Sequence, residues 1–334
     1  MLLHDEIFEQ PERLAHVLDV NRSVTADARN LLSGPGVFHV VIAARGTSDN
    51  AARYAKYVWA TRLGLPVTLA APSLHTRYKK APRFDGAAVV GISQSGESPD
   101  LVAVVEQARA QGRPTIAITN EIHSPLAMMS DVVVPLHAGP ELSVAATKTY
   151  TTSLMAIAMI SCRDEWLNRV PEAVADTLGL ESDIEQAVAD LGPIDKAVTL
   201  GRGYNHSTAF EWALKLQEMA YVFAHAFSPA DFAHGPFAVL DRNFPVLAAV
   251  PVGPIAADSF ATLERAMSER DASVLALTDT DAPGIPSIRV PSTQEFTSPM
   301  VFITAAQLFT LHMALLKGVD PETPRGLMKV TRTN

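Results

Sequence analysis

The sequence predicts an α/β protein made of two tandem doubly wound parallel sheets, each a flavodoxin-like αβα sandwich. Three observations carry that expectation. First, short apolar runs rich in β-branched residues alternate with helix-length stretches from Val37 onward. Strands that are apolar throughout are buried on both faces, as in a parallel sheet covered by helices. Second, the same landmarks return at a nearly constant offset. Arg45-Gly46 and Arg202-Gly203 lie 157 residues apart, as do Gly96 and Gly253. Ala117-Ile118-Thr119-Asn120 and Ala276-Leu277-Thr278-Asp279 are offset by 159, and Val133-Val134-Pro135 and Arg289-Val290-Pro291 by 156. Four landmarks so close to one offset mark a duplicated αβ unit. Third, 334 residues that are 48% hydrophobic suffice for two such cores.

The elements follow in order. Residues 4–33 read as helical, broken near Pro11 and stopped by Gly34-Pro35-Gly36. Val37–Ala43 is a strand, the turn Arg45–Asp49 leads to a helix reaching about Leu63, and Pro66–Ala70 is a second strand. Ala87–Ile92 is the third. Its sequel, Ser93-Gln94-Ser95-Gly96-Glu97-Ser98, runs into a helix over Pro99–Ala110. There Ser98 suits the N-cap, Pro99 the first helical position and Asp100 the positive end of the helix dipole. Pro114–Ile118 and Asp131–Pro135 are further strands, joined by a short helix opening at Ser124-Pro125. Ser143–Ser161 reads as one long apolar helix buried between layers. Acidic, helix-forming sequence from Asp164 to about Leu191 ends at Gly192-Pro193, and the pattern restarts with strands at Ala197–Gly201 and Val246–Val250. The expected organisation is an N-terminal helical segment (1–36), a first unit (37–163), a helical linker (164–193), a second unit (194–318) and a tail (319–334).

Composition removes several function classes. A net charge of −9 with no basic run speaks against nucleic acid as a partner, because binding there requires cations to displace counterions. The one cysteine, Cys162, excludes a disulfide framework, suits a reducing cytoplasm and is expected in the core. The start, MLLHDEIFEQPERL, carries acids where a signal peptide needs a basic and then apolar segment. No stretch approaches about 18 uninterrupted apolar residues, so a cytoplasmic chain with no membrane partner is expected. His225 and His234 do not form an HxxxH pair and no cysteine cluster exists, so no metal site is expected. Neither GxxxxGK[ST] nor GxGxxG occurs at the serine-rich turn, and no cofactor is expected.

Four features can carry chemistry. The serine-rich turn, between a strand and a helix N-terminus, would direct backbone N–H groups and three hydroxyls toward one point, which suits a phosphate. An ordinary polar βα turn uses the same residues. In the second copy Pro251-Val252-Gly253-Pro254 stands in its place. One anion turn and one degenerate counterpart suggest a site between copies or between subunits. Glu211, Lys215 and Glu218, spaced i, i+4, i+7, fall within about 60° on a helix face. They form either a solvated ion-pair stripe or a general base tuned by a lysine. His234, in Phe232-Ala233-His234-Gly235-Pro236, is either packed or a proton shuttle. The tail from Pro324 to Asn334 has no helical or strand period. It either frays or closes over a site, carrying Lys329, whose amine can attack a carbonyl once deprotonated.

From about residue 37 the chain resembles the double sugar-isomerase (SIS) domain family, most closely the isomerase half of glucosamine-6-phosphate synthase. The resemblance rests on Gly46-Thr47-Ser48, Ser93–Ser98, Ala138-Gly139-Pro140-Glu141 with Ala146-Thr147-Lys148, Ala213-Leu214-Lys215-Leu216, Glu218, His234-Gly235-Pro236 and Lys329, in the family's order. It implies that Ser48, Ser93, Gln94, Ser95 and Ser98 hold a sugar phosphate, with Val144 and Ala146 also at the substrate. It implies further that Glu218 moves a proton between C1 and C2, and that His234 helps open the ring from the second subunit of a homodimer. Lys329 would sit on a closing tail and, in the synthase, forms an imine; Lys215 matches a further active-site lysine. A phosphosugar held by oriented N–H and hydroxyl groups needs no basic surface, which agrees with the −9 charge.

Three departures shape the expected activity. The synthase has an N-terminal glutaminase domain with a terminal cysteine nucleophile, and this chain is expected to work without glutamine. Ala146 stands where the synthase has a serine near the sugar. The tail Lys329-Val330-Thr331-Arg332-Thr333 looks more like stand-alone SIS-type amino-sugar-phosphate deaminases. The resemblance thus implies conversion of glucosamine 6-phosphate to fructose 6-phosphate plus ammonia. The alternatives are galactosamine 6-phosphate as substrate, a fructosamine-phosphate deglycase, a phosphosugar isomerase without amine chemistry, and a phosphosugar-sensing module.

Overall fold

A computed structural model describes residues 1–162 and 165–329. The N-terminal helices are α1 (Leu2–Phe8), α2 (Gln10–Val20) and α3 (Arg22–Leu32). The break expected near Pro11 falls at Glu9, and a further one falls at Asn21. Pro11 sits in the first turn of α2, where a missing N–H costs no hydrogen bond. Then come β1 (His39–Ala43), α4 (Gly46–Leu63), β2 (Val67–Leu69), α5 (Ser73–Thr76), β3 (Ala87–Ser93) and α6 (Pro99–Ala110). They are followed by β4 (Thr115–Thr119), α7 (Pro125–Met128), β5 (Val132–Pro135) and α8 (Lys148–Ser161).

The helix expected over Ser143–Ser161 therefore starts five residues late. The Glu6 carboxylate accepts the N–H groups of Leu142 and Ser143, which holds residues 142–147 in a non-helical path. After a 3-10 turn at Glu165–Arg169 the chain continues through α9 (Val170–Leu178), α10 (Glu181–Leu191), β6 (Lys196–Gly201), α11 (His206–Ala220) and β7 (Phe223–Phe227). The remaining elements are α12 (Pro229–Ala233), β8 (Pro245–Val250), α13 (Ala256–Arg270), β9 (Ser273–Thr278), β10 (Ser287–Arg289) and α14 (Ser298–Leu316). The sequence reading assigns nothing to β7 or α14. Two of the expected features, Asp164 as the start of the helical linker and Val330–Thr333 in the tail, lie outside the described residues.

The chain divides into two compact units. One comprises residues 12–141 and 148–168 with Met328 and Lys329; the other comprises 1–11, 142–147 and 169–327. In the first, an all-parallel sheet runs in the order β2-β1-β3-β4-β5; in the second the order is β7-β6-β8-β9-β10. Both are the 2-1-3-4-5 order of doubly wound flavodoxin-like sheets. Even the register repeats, Val40 pairing with Ala88 and Val198 with Val246. The duplication legible in the sequence is thus a duplication of topology.

Each sheet is buried by its helices. Every residue of β3 and of β8 is buried. In the second unit α14 packs against α9, α10 and α11. By length and composition α14 could cross a membrane, contrary to the expectation that no stretch comes near this; 83% of its most apolar window is buried inside the protein, as a core helix would be. Cys162 is not a core residue. It is half-buried at the end of α8 and borders a cavity of about 790 Å³ lined also by Leu18, Arg22, Arg29 and Met159.

Candidate active site

In a 2-1-3-4-5 sheet the strand order reverses between the first and third strands, and ligands bind at the carboxyl ends of the strands there. In the first unit that point lies between β1 and β3. Two connections leave it: Arg45-Gly46-Thr47-Ser48 into α4, and Gln94–Ser98 into α6. Because α4 begins at Gly46, Ser48 stands in a helical first turn, its amide donating to the Arg45 carbonyl at 3.0 Å. Asp49 follows it. Burial pushes the Asp49 carboxyl up, against the pull of Arg53 and Arg45.

The serine turn is shaped from within. The Gly96 amide donates to Ser93 Oγ (3.1 Å) and the Glu97 amide to Ser95 Oγ (3.3 Å), so two of the turn's N–H groups are engaged by its own hydroxyls. Gln94 contributes its carbonyl, which accepts from the Asn120 amide (3.1 Å) and from Thr119 Oγ1 (3.2 Å). Ser98 occupies the N-cap of α6, yet its hydroxyl makes no capping bond. Only glycine fits at 96: φ is +63°, and a Cβ would lie 2.0 Å from Ser124 Oγ. Asp100 does more than favour the helix dipole. Its buried carboxylate receives Arg45 Nε and Nη2, each at 2.9 Å, and so ties the two connections together.

The equivalent point of the second unit, between β6 and β8, is differently furnished. The Val252 amide, the counterpart of the Ser95 amide at offset 157, donates to Asp279 Oδ1, and Ser292 Oγ donates to Oδ2 at 3.2 Å. The Glu295 carboxylate lies against Gly253, where a Cβ would come within 2.8 Å of its Oε2. Burial raises both carboxyls above their usual range, and the charge of Asp279 raises Glu295 further. Two carboxylates thus crowd the position that a phosphate would need, which gives the loss of the serines a physical counterpart.

The second unit holds the acid–base candidates on α11. Lys215 Nζ lies 3.4 Å from Glu211 Oε1 and also bonds Glu218 Oε2. The Glu211 and Lys215 side chains are 0% and 1% exposed, and that of Glu218 is 25% exposed. A solvated stripe is therefore overturned. With α14, β6 and β7 packed against α11, two of the three charges are out of water, and one carboxylate remains reachable. Val144 and Ala146 lie half-buried in the non-helical 142–147 segment of the same unit. His234 caps the C-terminus of α12, before Gly235 at φ +140°. It is exposed, so the packed alternative fails, and it makes no hydrogen bond or ion pair with the α11 group.

Lys329 belongs to the first unit and has a defined partner there. Its Nζ lies 3.0 Å from Glu141 Oε2. That carboxylate is fully buried and also receives the amide (3.0 Å) and hydroxyl (2.7 Å) of Thr149. The described part of the tail is held at Lys329. Sequence reasoning named Arg45 and Asp279 only as landmarks of the repeat and Glu141 only within a family motif, and it did not name Glu295. The first had a signal, since Arg45 and Asp100 recur as Arg202 and Asp258 at the repeat offset. Among the described residues no group of three or more His, Cys, Asp or Glu side chains is arranged to hold a metal.

Fold and turns together define a duplicated, doubly wound α/β protein, one of whose switch points carries a hydroxyl-rich turn. Comparison with known proteins names the family. The SIS domain model matches residues 37–162 and 191–317, and the chain belongs to that family. It is similar to the glutamine–fructose-6-phosphate aminotransferase (isomerizing) of Pyrococcus horikoshii, 32% identical over 97% of this chain and 56% of that protein. The enzyme of the same name from Bartonella quintana is 30% identical over 98% of this chain and 58% of its own length. The chain thus spans somewhat more than half of these curated relatives. Among solved structures, the C-terminal domain of glucosamine-fructose-6-phosphate aminotransferase from Francisella tularensis superposes with a TM-score of 0.88 at 28% identity, covering 97% of this chain and 98% of that one.

Proposed function

We propose that this protein interconverts aldose and ketose forms of an amino-sugar phosphate and releases ammonia, taking glucosamine 6-phosphate and water to fructose 6-phosphate and ammonia. The observation that carries the reading is the α11 triad: a reachable carboxylate, Glu218, held by a buried lysine that a second buried carboxylate backs. An aldose–ketose shift needs one base that removes a proton from C2 and returns it to C1. Glu218 takes that role, a quarter exposed and bonded to Lys215. The transfer turns the open-chain amino aldehyde into a ketose imine. Water then adds at C2, the C–N bond breaks and ammonia leaves. The serine turn with Ser48 binds the phosphate through hydroxyls and the remaining N–H groups.

Two residues have supporting roles in this proposal. His234, whose exposed side chain makes no hydrogen bond or ion pair among the described residues, opens the sugar ring for a second copy in a homodimer. Lys329 closes the site as a cation: an ammonium bonded to Glu141 must lose its proton before it can attack a carbonyl. The names of the relatives, which include an isomerizing step on a hexose phosphate, support the substrate class. The test is incubation with glucosamine 6-phosphate and no glutamine, with ammonia and fructose 6-phosphate measured together. Equal release of both is expected. Fructose 6-phosphate and glucose 6-phosphate interconverting without any ammonia chemistry would replace this reading with a plain isomerase.

A further inference from the structure

The mechanism above makes no use of the Arg45–Asp100 pair. Both Nε and Nη2 of Arg45 lie 2.9 Å from Asp100 Oδ2, and Asp100 Oδ1 receives the Leu101 amide at 3.0 Å. The aspartate side chain is 2% exposed and the arginine 50% exposed. Arg45 precedes the turn that brings Thr47 and Ser48 into α4, and Asp100 follows the turn that brings Ser93–Ser98 into α6. We propose that Arg45 is a positioning residue of the anion cradle, setting the spacing of its two turns through Asp100. The inference rests on the reading of the serine turn as the phosphate site.

The duplication supplies an internal comparison. In the second copy Arg202 Nη1 lies 3.0 Å from Asp258 Oδ2, at the same places in the topology. There the aspartate is 73% exposed, the serines are absent, and Asp279 and Glu295 crowd the switch point. The latch therefore persists where no anion turn remains, so it belongs to the αβ unit itself and does not depend on a ligand. Only in the first copy is its carboxylate buried and its span occupied by hydroxyl-bearing turns. A fixed cradle matters because hydroxyl and amide donors hold an anion well only when their geometry is set in advance.

The experiment compares Arg45→Met with Arg202→Met in the full chain. Binding of inorganic phosphate and of glucosamine 6-phosphate is measured by calorimetry, together with kcat, KM and melting temperature. Arg45→Met should weaken phosphate at least tenfold and raise KM while kcat stays within about threefold. Arg202→Met should leave Kd and KM within twofold of wild type. Equal effects of the two substitutions would reduce the pair to general stability and overturn the proposal. Should Arg45→Met not fold, Arg45→Lys decides: it keeps the charge but loses the two-point contact, and full affinity in that variant overturns positioning in favour of charge alone. A wild-type chain that binds no phosphate overturns both the serine-turn reading and this inference. Binding in the wild type with no change in Arg45→Met overturns this inference alone.

Discussion

Glu218→Gln and Glu211→Gln should fail in opposite ways, although the residues lie two turns apart on one helix. Glutamine at 218 keeps the size of the side chain and a polar contact with Lys215, whose ammonium retains Glu211 at 3.4 Å. Glu218 is a quarter exposed, so the stability cost should be about 1 kcal/mol. Loss of a general base costs roughly 10²–10⁴ in rate. Glutamine at 211 instead removes a fully buried counter-charge from a fully buried ammonium. Breaking such a pair costs about 3–5 kcal/mol, and the lower end applies because Glu218 remains as a partner. At roughly 2–4 °C per kcal/mol, melting should fall by about 6–12 °C. The assay is incorporation of deuterium from D₂O at C1 of the sugar phosphate, run beside a thermal melt and a binding titration. Glu218→Gln should melt near wild type, bind the phosphosugar and exchange almost no deuterium. Exchange within tenfold of wild type, or loss of binding, would refute Glu218 as the base.

Gly96→Ala should abolish phosphate binding and lower the melting temperature, since its Cβ would lie 2.0 Å from Ser124 Oγ at a φ of +63°; binding within twofold of wild type would show that the turn is not the cradle. Glu295→Gln tests the crowded second switch point through pH. A carboxyl raised in the folded state favours folding when protonated, so its contribution is present at low pH and lost as pH rises through the raised value. Glu295→Gln should therefore raise stability at pH 7 by about 0.5 kcal/mol, with the gain gone by about pH 4, and calorimetry showing an equal gain at both would contradict the burial and repulsion argument. Borohydride treatment in the presence of fructose 6-phosphate should leave Lys329 unmodified by mass spectrometry; a reduced adduct there would assign it an imine rather than a closing role.

Much of this is legible in the order of the residues alone. The 157-residue offset is a property of residue order, and it foretold two sheets of one topology. The placing of Gln94–Ser98 between β3 and α6 followed from apolar run length and from Pro99, both of which act within a few residues. Elements were missed where local pattern was weak or ambiguous. Phe223–Phe227 is a five-residue edge strand, and residues 142–147 are kept out of α8 by a carboxylate far away in sequence, that of Glu6.

The sequence by itself determined periodicity and spacing: most of the strands and helices, that the unit is duplicated, that one copy keeps the serines, and that Glu211, Lys215 and Glu218 share a helix face. Only tertiary structure decided what those charges do. Spacing i, i+4, i+7 is the same for a solvated stripe and for a buried triad. The difference is desolvation, which depends on α14, β6 and β7 closing over α11. Arg45 meets Asp100 across 55 residues, and Lys329 meets Glu141 across 188. Helical and strand periods are set by neighbouring bonds, whereas burial and ion pairing are set by whatever the rest of the chain brings alongside.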